Sequence, residues 1–114
     1  MTNIIVVFPK LENAKSIRNV LVRNGFSVTA VCTTGAQALS VLEDYNEAVV
    51  ICGYRLVDMI CLELYDCLPE GMRMLVAASA NFIGEVDREG IVCLSMPFKV
   101  NELLSTVGMM CQSL

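Results

Sequence analysis

Along the chain, stretches in which nearly every position is apolar alternate with stretches in which apolar positions recur every three or four residues. The first kind is strand-like. IIVVF near the start, AVVIC in the middle and MLVAA further on are continuous runs of strand length, as strands covered on both faces must be. They predict strands over 3–8, 48–52 and 72–78, and IVCL adds a short one over 91–94. SVTAVC, 27–32, alternates apolar with polar and is therefore predicted to lie at a sheet edge.

Helical spacing fills the intervals. Leu11, Ala14, Ile17 and Leu21 share one face of a predicted helix over 11–24, with Gly25 as its left-handed stop. Thr34-Gly35-Ala36-Gln37 reads as a capping box opening a helix that runs to Tyr45. Ile60, Leu64, Cys67 and Leu68 line a third helix, ended by Pro69-Glu70-Gly71. A short, weak fourth helix is predicted over 81–88. The last begins near Lys99 and repeats Val100, Leu103, Leu104, Val107, Met110, Cys111 and Leu114 at helical spacing. No cap or breaker follows it, so residues 1–114 are expected to be one domain of a longer protein.

Five strands alternating with helices through short loops demand right-handed crossovers and a parallel sheet between helix layers. The fold class predicted is α/β, a flavodoxin-like (βα)5 three-layer sandwich with strand order 2-1-3-4-5. Its crevice falls at the carboxyl ends of strands one, three and five.

Composition narrows what such a domain can do. The 114 residues fit one domain, and a domain of this size buries about two-thirds of its unfolded surface. Hydrophobic residues make up 55% of the chain and the mean hydropathy is +0.61, high for so small a domain. No apolar run approaches the roughly 20 residues a membrane helix needs, and Met1-Thr2-Asn3 is not the charged start of a signal peptide. The expectation is a cytoplasmic domain without membrane contact, whose surplus apolar surface meets a partner protein.

A net charge of −4 with scattered Lys and Arg argues against binding nucleic acid unaided, because phosphate binding needs clustered cations. The absence of histidine removes His-based acid/base catalysis and His-ligated metals together. Six cysteines (Cys32, Cys52, Cys61, Cys67, Cys93 and Cys111) show no CxxC spacing and are read as free thiols.

The expected crevice offers Phe8 and Pro9 after strand one, Gly53 after strand three, Ala78 and Ser79 after strand four, and Met96-Pro97 after strand five. A divalent cation would need carboxylate oxygens there, and none of these residues has one. No metal and no other cofactor is expected. Glu12 and Asp58, the nearest acids along the chain, are read as solvated surface.

These residues also carry a resemblance. Residues 49–64, VVICGYRLVDMICLEL, are similar to the response-regulator receiver pattern VVICDYRLPDMDGLEL, with Gly53 in place of the phosphorylated aspartate. Val57, Ile60 and Cys61 replace the pattern's Pro, Asp and Gly. Phe8-Pro9 stands where receivers carry the acidic pair that binds Mg²⁺. Leu94-Ser95-Met96-Pro97-Phe98 resembles L-[TS]-K-P-F, with Met96 replacing the lysine, and Glu102-Leu103 matches the E-L of the last helix.

The resemblance to the receiver (CheY-like) family spans the whole chain and implies its fold. It also implies a site neutralised as a set, because a lysine left without its carboxylates would be an unpaired, half-buried cation. The family's switch hydroxyl falls at Ala78 or Ser79, and its switch aromatic at Cys93. The bond before the matching proline is commonly cis in receivers, so Met96–Pro97 is expected to be cis, as X–Pro bonds permit at a cost of about 0.5–1 kcal/mol.

Other signals are weaker. Residues 67–73, CLPEGMR, fit a C-x₅-R phosphatase signature, but the order helix, turn, strand aims the loop amides the wrong way. FPKLEN, residues 8–13, lacks the hydroxyls and glycines of a flavin phosphate loop. Met96, Met109 and Met110 read as core or interface filling.

The function expected is that of a non-phosphorylatable pseudo-receiver of a bacterial two-component-type regulator, not an enzyme. It would act through protein–protein contact, as a homodimer or with another regulator. The resemblance is strongest to receivers that precede an ANTAR domain, which would make the output transcription antitermination. RNA would then be bound only through that further domain. Candidate contact residues on the fourth helix, fifth strand and fifth helix are Phe82, Val86, Leu103, Val107 and Met110. The alternative is a small-ligand sensor using a neutral pocket lined by Phe8, Gly53, Tyr54 and Met96.

Overall fold

The computed structural model describes residues 2–86 and 88–112. The chain alternates β1 (Asn3–Val7), α1 (Leu11–Arg23), β2 (Val28–Cys32), α2 (Gly35–Leu42), β3 (Ala48–Gly53), α3 (Cys61–Cys67), β4 (Met72–Ser79), α4 (Ala80–Ile83), β5 (Ile91–Met96) and α5 (Val100–Gln112). A 3-10 turn, Gly84–Val86, extends α4. All neighbouring strands pair in parallel, in the order β2-β1-β3-β4-β5. The flavodoxin-like (βα)5 sandwich expected from the alternation is the fold observed.

Strand alternation sends successive side chains to opposite faces, and each face is covered. Val50, Cys52, Met74 and Val76 pack beneath Leu42 of α2, Leu64 of α3 and Val86. Val49, Ile51, Leu75 and Ala77 pack beneath Leu21 of α1 and Leu103, Val107 and Met110 of α5. Every residue of β3 is buried, as its uninterrupted apolar run requires. Edge strand β2 is mostly half-buried. Each fully buried aliphatic side chain contributes about 1.5–3 kcal/mol relative to exposure.

This packing corrects the expected contact surface. Val86, Leu103, Val107 and Met110 are all buried in the core. Helical spacing marks the face turned toward the sheet, so the periodic positions of α5 fill the interior. Of the five candidates only Phe82 is exposed, at 41%. The large apolar residues exposed on these elements, among those described, are Phe82, Val92, Met96, Val100 and Met109.

Helix ends follow local chemistry. Gly25 takes φ +90° after α1, and the Phe26 amide closes back on the Leu21 carbonyl at 3.0 Å. At α2, the Gln37 amide donates to Thr34 Oγ1 at 3.0 Å, while Gln37 Oε1 accepts from the amide of Thr33 rather than Thr34. The box therefore closes one residue early, and α2 ends at Leu42 rather than Tyr45. Helix α3 buries Cys61 and Leu64 and leaves Cys67 exposed. The Met96–Pro97 bond is cis. Leu114, the last periodic position, lies outside the described residues.

Candidate functional site

Strands β1, β3, β4 and β5 end together. Val7 pairs with Cys52, Gly53 with Ala77, and Ser79 with Met96. The parallel register therefore brings Phe8, Pro9, Gly53, Ala77 and Met96 to one cleft of about 350 Å³, with Asn13, Ser16 and Ile17 of α1 and Tyr54, Arg55 and Phe98 completing its wall.

The centre of that cleft is closed by a packing relationship. A Cβ built on Gly53 would stand 3.2 Å from Phe8 Cδ1, 3.5 Å from Cε1 and 3.7 Å from Pro9 Cδ. The Phe8 ring is 5% exposed, seated against the bare backbone of Gly53. A side chain at the end of β3 would press on this ring, which would have to give by a few tenths of an ångström.

Strand four enters differently from the expectation. Ala77, one residue before Ala78, faces the cleft; alternation carries Ala78 to the opposite face, where it packs in the cluster containing Val86. Ser79 is exposed past the buried part of β4. Met96 reaches the cleft with 42% of its surface exposed.

No lining residue carries a carboxylate, and Arg55 is the one charged residue among those described. The chain thus places no oxygen set there for a divalent cation. Among the described residues no group of three or more Cys, Asp or Glu is arranged to hold a metal. A larger hollow of about 760 Å³ lies at the opposite end of the sheet, among Thr2, Asn3, Asp44, Tyr45, Asn46, Glu47 and Cys111. That is the amino end of the strands, away from the crevice.

The loop from β3 to α3 is folded back on itself. Leu56 N–H donates to the Met59 carbonyl at 2.7 Å, and Cys61 N–H to the Tyr54 carbonyl at 2.8 Å. Asp58, expected to be merely solvated, instead accepts the Gly35 amide at 2.7 Å and the Ala36 amide at 3.1 Å. It supplies from another segment the acceptor that two first-turn amides of α2 need. These amides, chiefly that of Gly35, hold its carboxyl below the usual carboxylate range. Glu12, by contrast, is exposed in the first turn of α1.

Tyr54 joins the cleft to α4. Its ring stacks on Phe82, centroids 4.7 Å apart at 14°, and its hydroxyl donates to Glu85 Oε2 at 2.7 Å. That hydrogen bond to a carboxylate raises the phenol above its ordinary pKa. Nothing local in the sequence signals this contact, which depends on tertiary placement. The Asn13, Ser16 and Ile17 wall was legible in principle, since i, i+3, i+4 spacing puts three residues on one helix face.

The six cysteines are free thiols, and three of them, Cys32, Cys52 and Cys61, are buried. Desolvation pushes Cys61 up to about 11 and Cys52 well above its ordinary value. The C-x₅-R signature is not assembled. Cys67 is exposed at the end of α3, whereas the Arg73 guanidinium donates to the Met110 carbonyl on α5 at 2.6 Å.

No family model matches the chain, and no curated protein matches it in sequence. Solved structures do match it in shape. A CheY-like response-regulator receiver domain from Methylobacillus flagellatus superposes with a TM-score of 0.81 at 19% identity, covering 96% of this chain and 98% of the other. The chemotaxis response regulator CheY4 of Vibrio cholerae gives 0.77 at 17%, covering 96% and 98%. The CheX–CheY–BeF₃–Mg complex from Borrelia burgdorferi gives 0.79 at 14%, covering 96% and 88%. The chain therefore has the receiver-domain fold of two-component response regulators.

Proposed function

We propose that this domain is a pseudo-receiver, a receiver-fold module that takes up no phosphoryl group and works by contact with other proteins. One observation carries the reading: the Phe8 ring occupies the space beside Gly53, in a cleft whose described lining offers no carboxylate. A phosphoryl acceptor, a cation to shield its oxygens and a cation-bearing side chain from β5 are replaced by Gly53, Phe8-Pro9 and Met96. The module is not an enzyme, and it operates in a bacterial cytoplasm. No helix among the described residues is long and apolar enough to cross a membrane.

Incubation with acetyl phosphate and Mg²⁺, followed by intact-mass measurement, tests the inert site. Unchanged mass is expected; one added phosphoryl group held as an acid-stable ester or an acylphosphate would overturn it. We assign the output to transcription antitermination through an ANTAR domain on the same polypeptide, with α5 leading into it. The sequence resemblance supports that assignment. Reading the gene past Leu114 tests it, because a stop codon there would remove the fused output.

The cleft also supports a second reading, a small-ligand sensor. Its apolar wall surrounds open space of a volume that small ligands occupy.

A further inference from the structure

We infer that the cleft beside Gly53 is built for a small amphiphilic anion, a carboxylate on a compact apolar body, and that Tyr54 transmits its occupancy to α4. This rests on the sensor reading and adds the chemical class of the ligand.

The apolar half of the argument is the wall. Phe8, Pro9, Ile17, Ala77, Met96 and Phe98 line about 350 Å³, in the lower part of the range that holds small molecules. A hydrated ion gains nothing from such a surface, whereas an aryl or alkyl body is stabilised in proportion to the apolar area it removes from water. The Phe8 ring and Pro9 cover the end of β3, so a ligand would meet that ring rather than the Gly53 backbone.

The charged half is Arg55. It is the single charge among the described lining residues, and it forms no ion pair among them. No lining residue carries a carboxylate, and Glu85 is engaged by the Tyr54 hydroxyl, which leaves Arg55 as the charge a ligand in the cleft can pair with. Asn13 of α1 adds an amide side chain on the same wall. The backbone of Arg55 is held in position, while its side chain is exposed. It bridges to Ile60 within the folded-back loop, which the Leu56–Met59 and Cys61–Tyr54 hydrogen bonds close and Asp58 ties to α2. A cation on a fixed loop loses less freedom on binding than one on a loose loop.

Tyr54 makes occupancy visible elsewhere. The same residue lines the cleft, stacks on Phe82 and bonds Glu85. A ligand that shifts the ring must disturb both contacts on α4 and its 3-10 extension. Phe82 is one of the exposed apolar residues available to a partner.

The test uses 3-phenylpropionate and its neutral amide, titrated into the ¹⁵N-labelled protein and into R55Q. The acid should bind at least tenfold tighter than the amide, with the Gly53, Phe82 and Glu85 amides following one curve. In R55Q the preference should vanish while amide affinity persists. Equal binding of acid and amide by the unsubstituted protein would overturn the anion class and leave the sensor reading standing. Binding of neither would overturn both. Still Phe82 and Glu85 amides during saturation at Gly53 would overturn the relay. Saturation by beryllofluoride with Mg²⁺ would instead overturn the inert-receiver reading, a failure separate from these.

Discussion

The Phe8 ring lies against the backbone of Gly53, with Cδ1 3.2 Å from where a Cβ would stand. Each residue explains the other: an aromatic ring fits at the end of β1 because β3 ends without a side chain. Gly53 is not at positive φ, so its demand is spatial and not conformational. Gly53→Ala should therefore cost about 1–2 kcal/mol by overpacking, read as a lower urea midpoint. Phe8→Leu made with it should cost less than the sum of the two single changes. Gly53→Asp should destabilise further, by placing a carboxylate in an apolar wall, and should bind no Mg²⁺ because Phe8 and Pro9 still lack oxygens. Saturable Mg²⁺ uptake by G53D would show the ring to be movable.

Asp58 gives a prediction in pH. Gly35 and Ala36 amides lower its folded pKa beneath the unfolded value of about 3.9. A depressed carboxyl stabilises fully above the unfolded pKa and loses that contribution as pH falls through the folded one. Asp58→Ala should thus cost about 0.5–1 kcal/mol near pH 7, the lower part of the range for a lost helix cap, because the carboxylate is exposed and screened by water. The gap from the unsubstituted protein should narrow below pH 4. Paired urea titrations at pH 7 and pH 3 check this; an equal gap at both would mean the loss is one of packing.

The fold was legible because its determinants are local. Continuous apolar runs, Gly25 as a stop and the Thr34–Gln37 pair each announce themselves within a few residues. The site was legible as a set of missing groups: Phe8, Pro9, Gly53 and Met96 do meet in one cleft. Its details were less so. Phase along β4 decides whether Ala77 or Ala78 faces inward, and a run apolar at every position carries no phase. Asp58 and Tyr54 act on segments 22 and 31 residues away, across distances no local pattern encodes.

Thiol reactivity should divide the cysteines by burial. At pH 8, a group at about 11 is thiolate in roughly one molecule in a thousand, and the thiolate is the reactive form. Cys61 and Cys52, both fully buried, should resist Ellman's reagent until the protein unfolds. Exposed Cys67 should react first. Mass mapping after short exposure distinguishes them; early labelling of Cys52 would mean that β3 opens readily.

The last prediction separates packing from contact on the α4, β5 and α5 elements. Leu103 is 2% exposed beneath the sheet, so Leu103→Ala should cost about 2–5 kcal/mol through lost burial and the cavity left behind. Met109, on the same helix, is 71% exposed, and Met109→Asp should leave the urea midpoint nearly unchanged. Phe82→Ala should fall between them, since it removes the stack on Tyr54, worth about 0.5–1.5 kcal/mol, without opening the core. If a partner covers these elements, M109D and F82A should weaken association, measured by sedimentation or cross-linking, at unaltered fold. Loss of association in L103A should only track its unfolding. Association indifferent to both Phe82 and Met109 would move the contact to another face of the sheet.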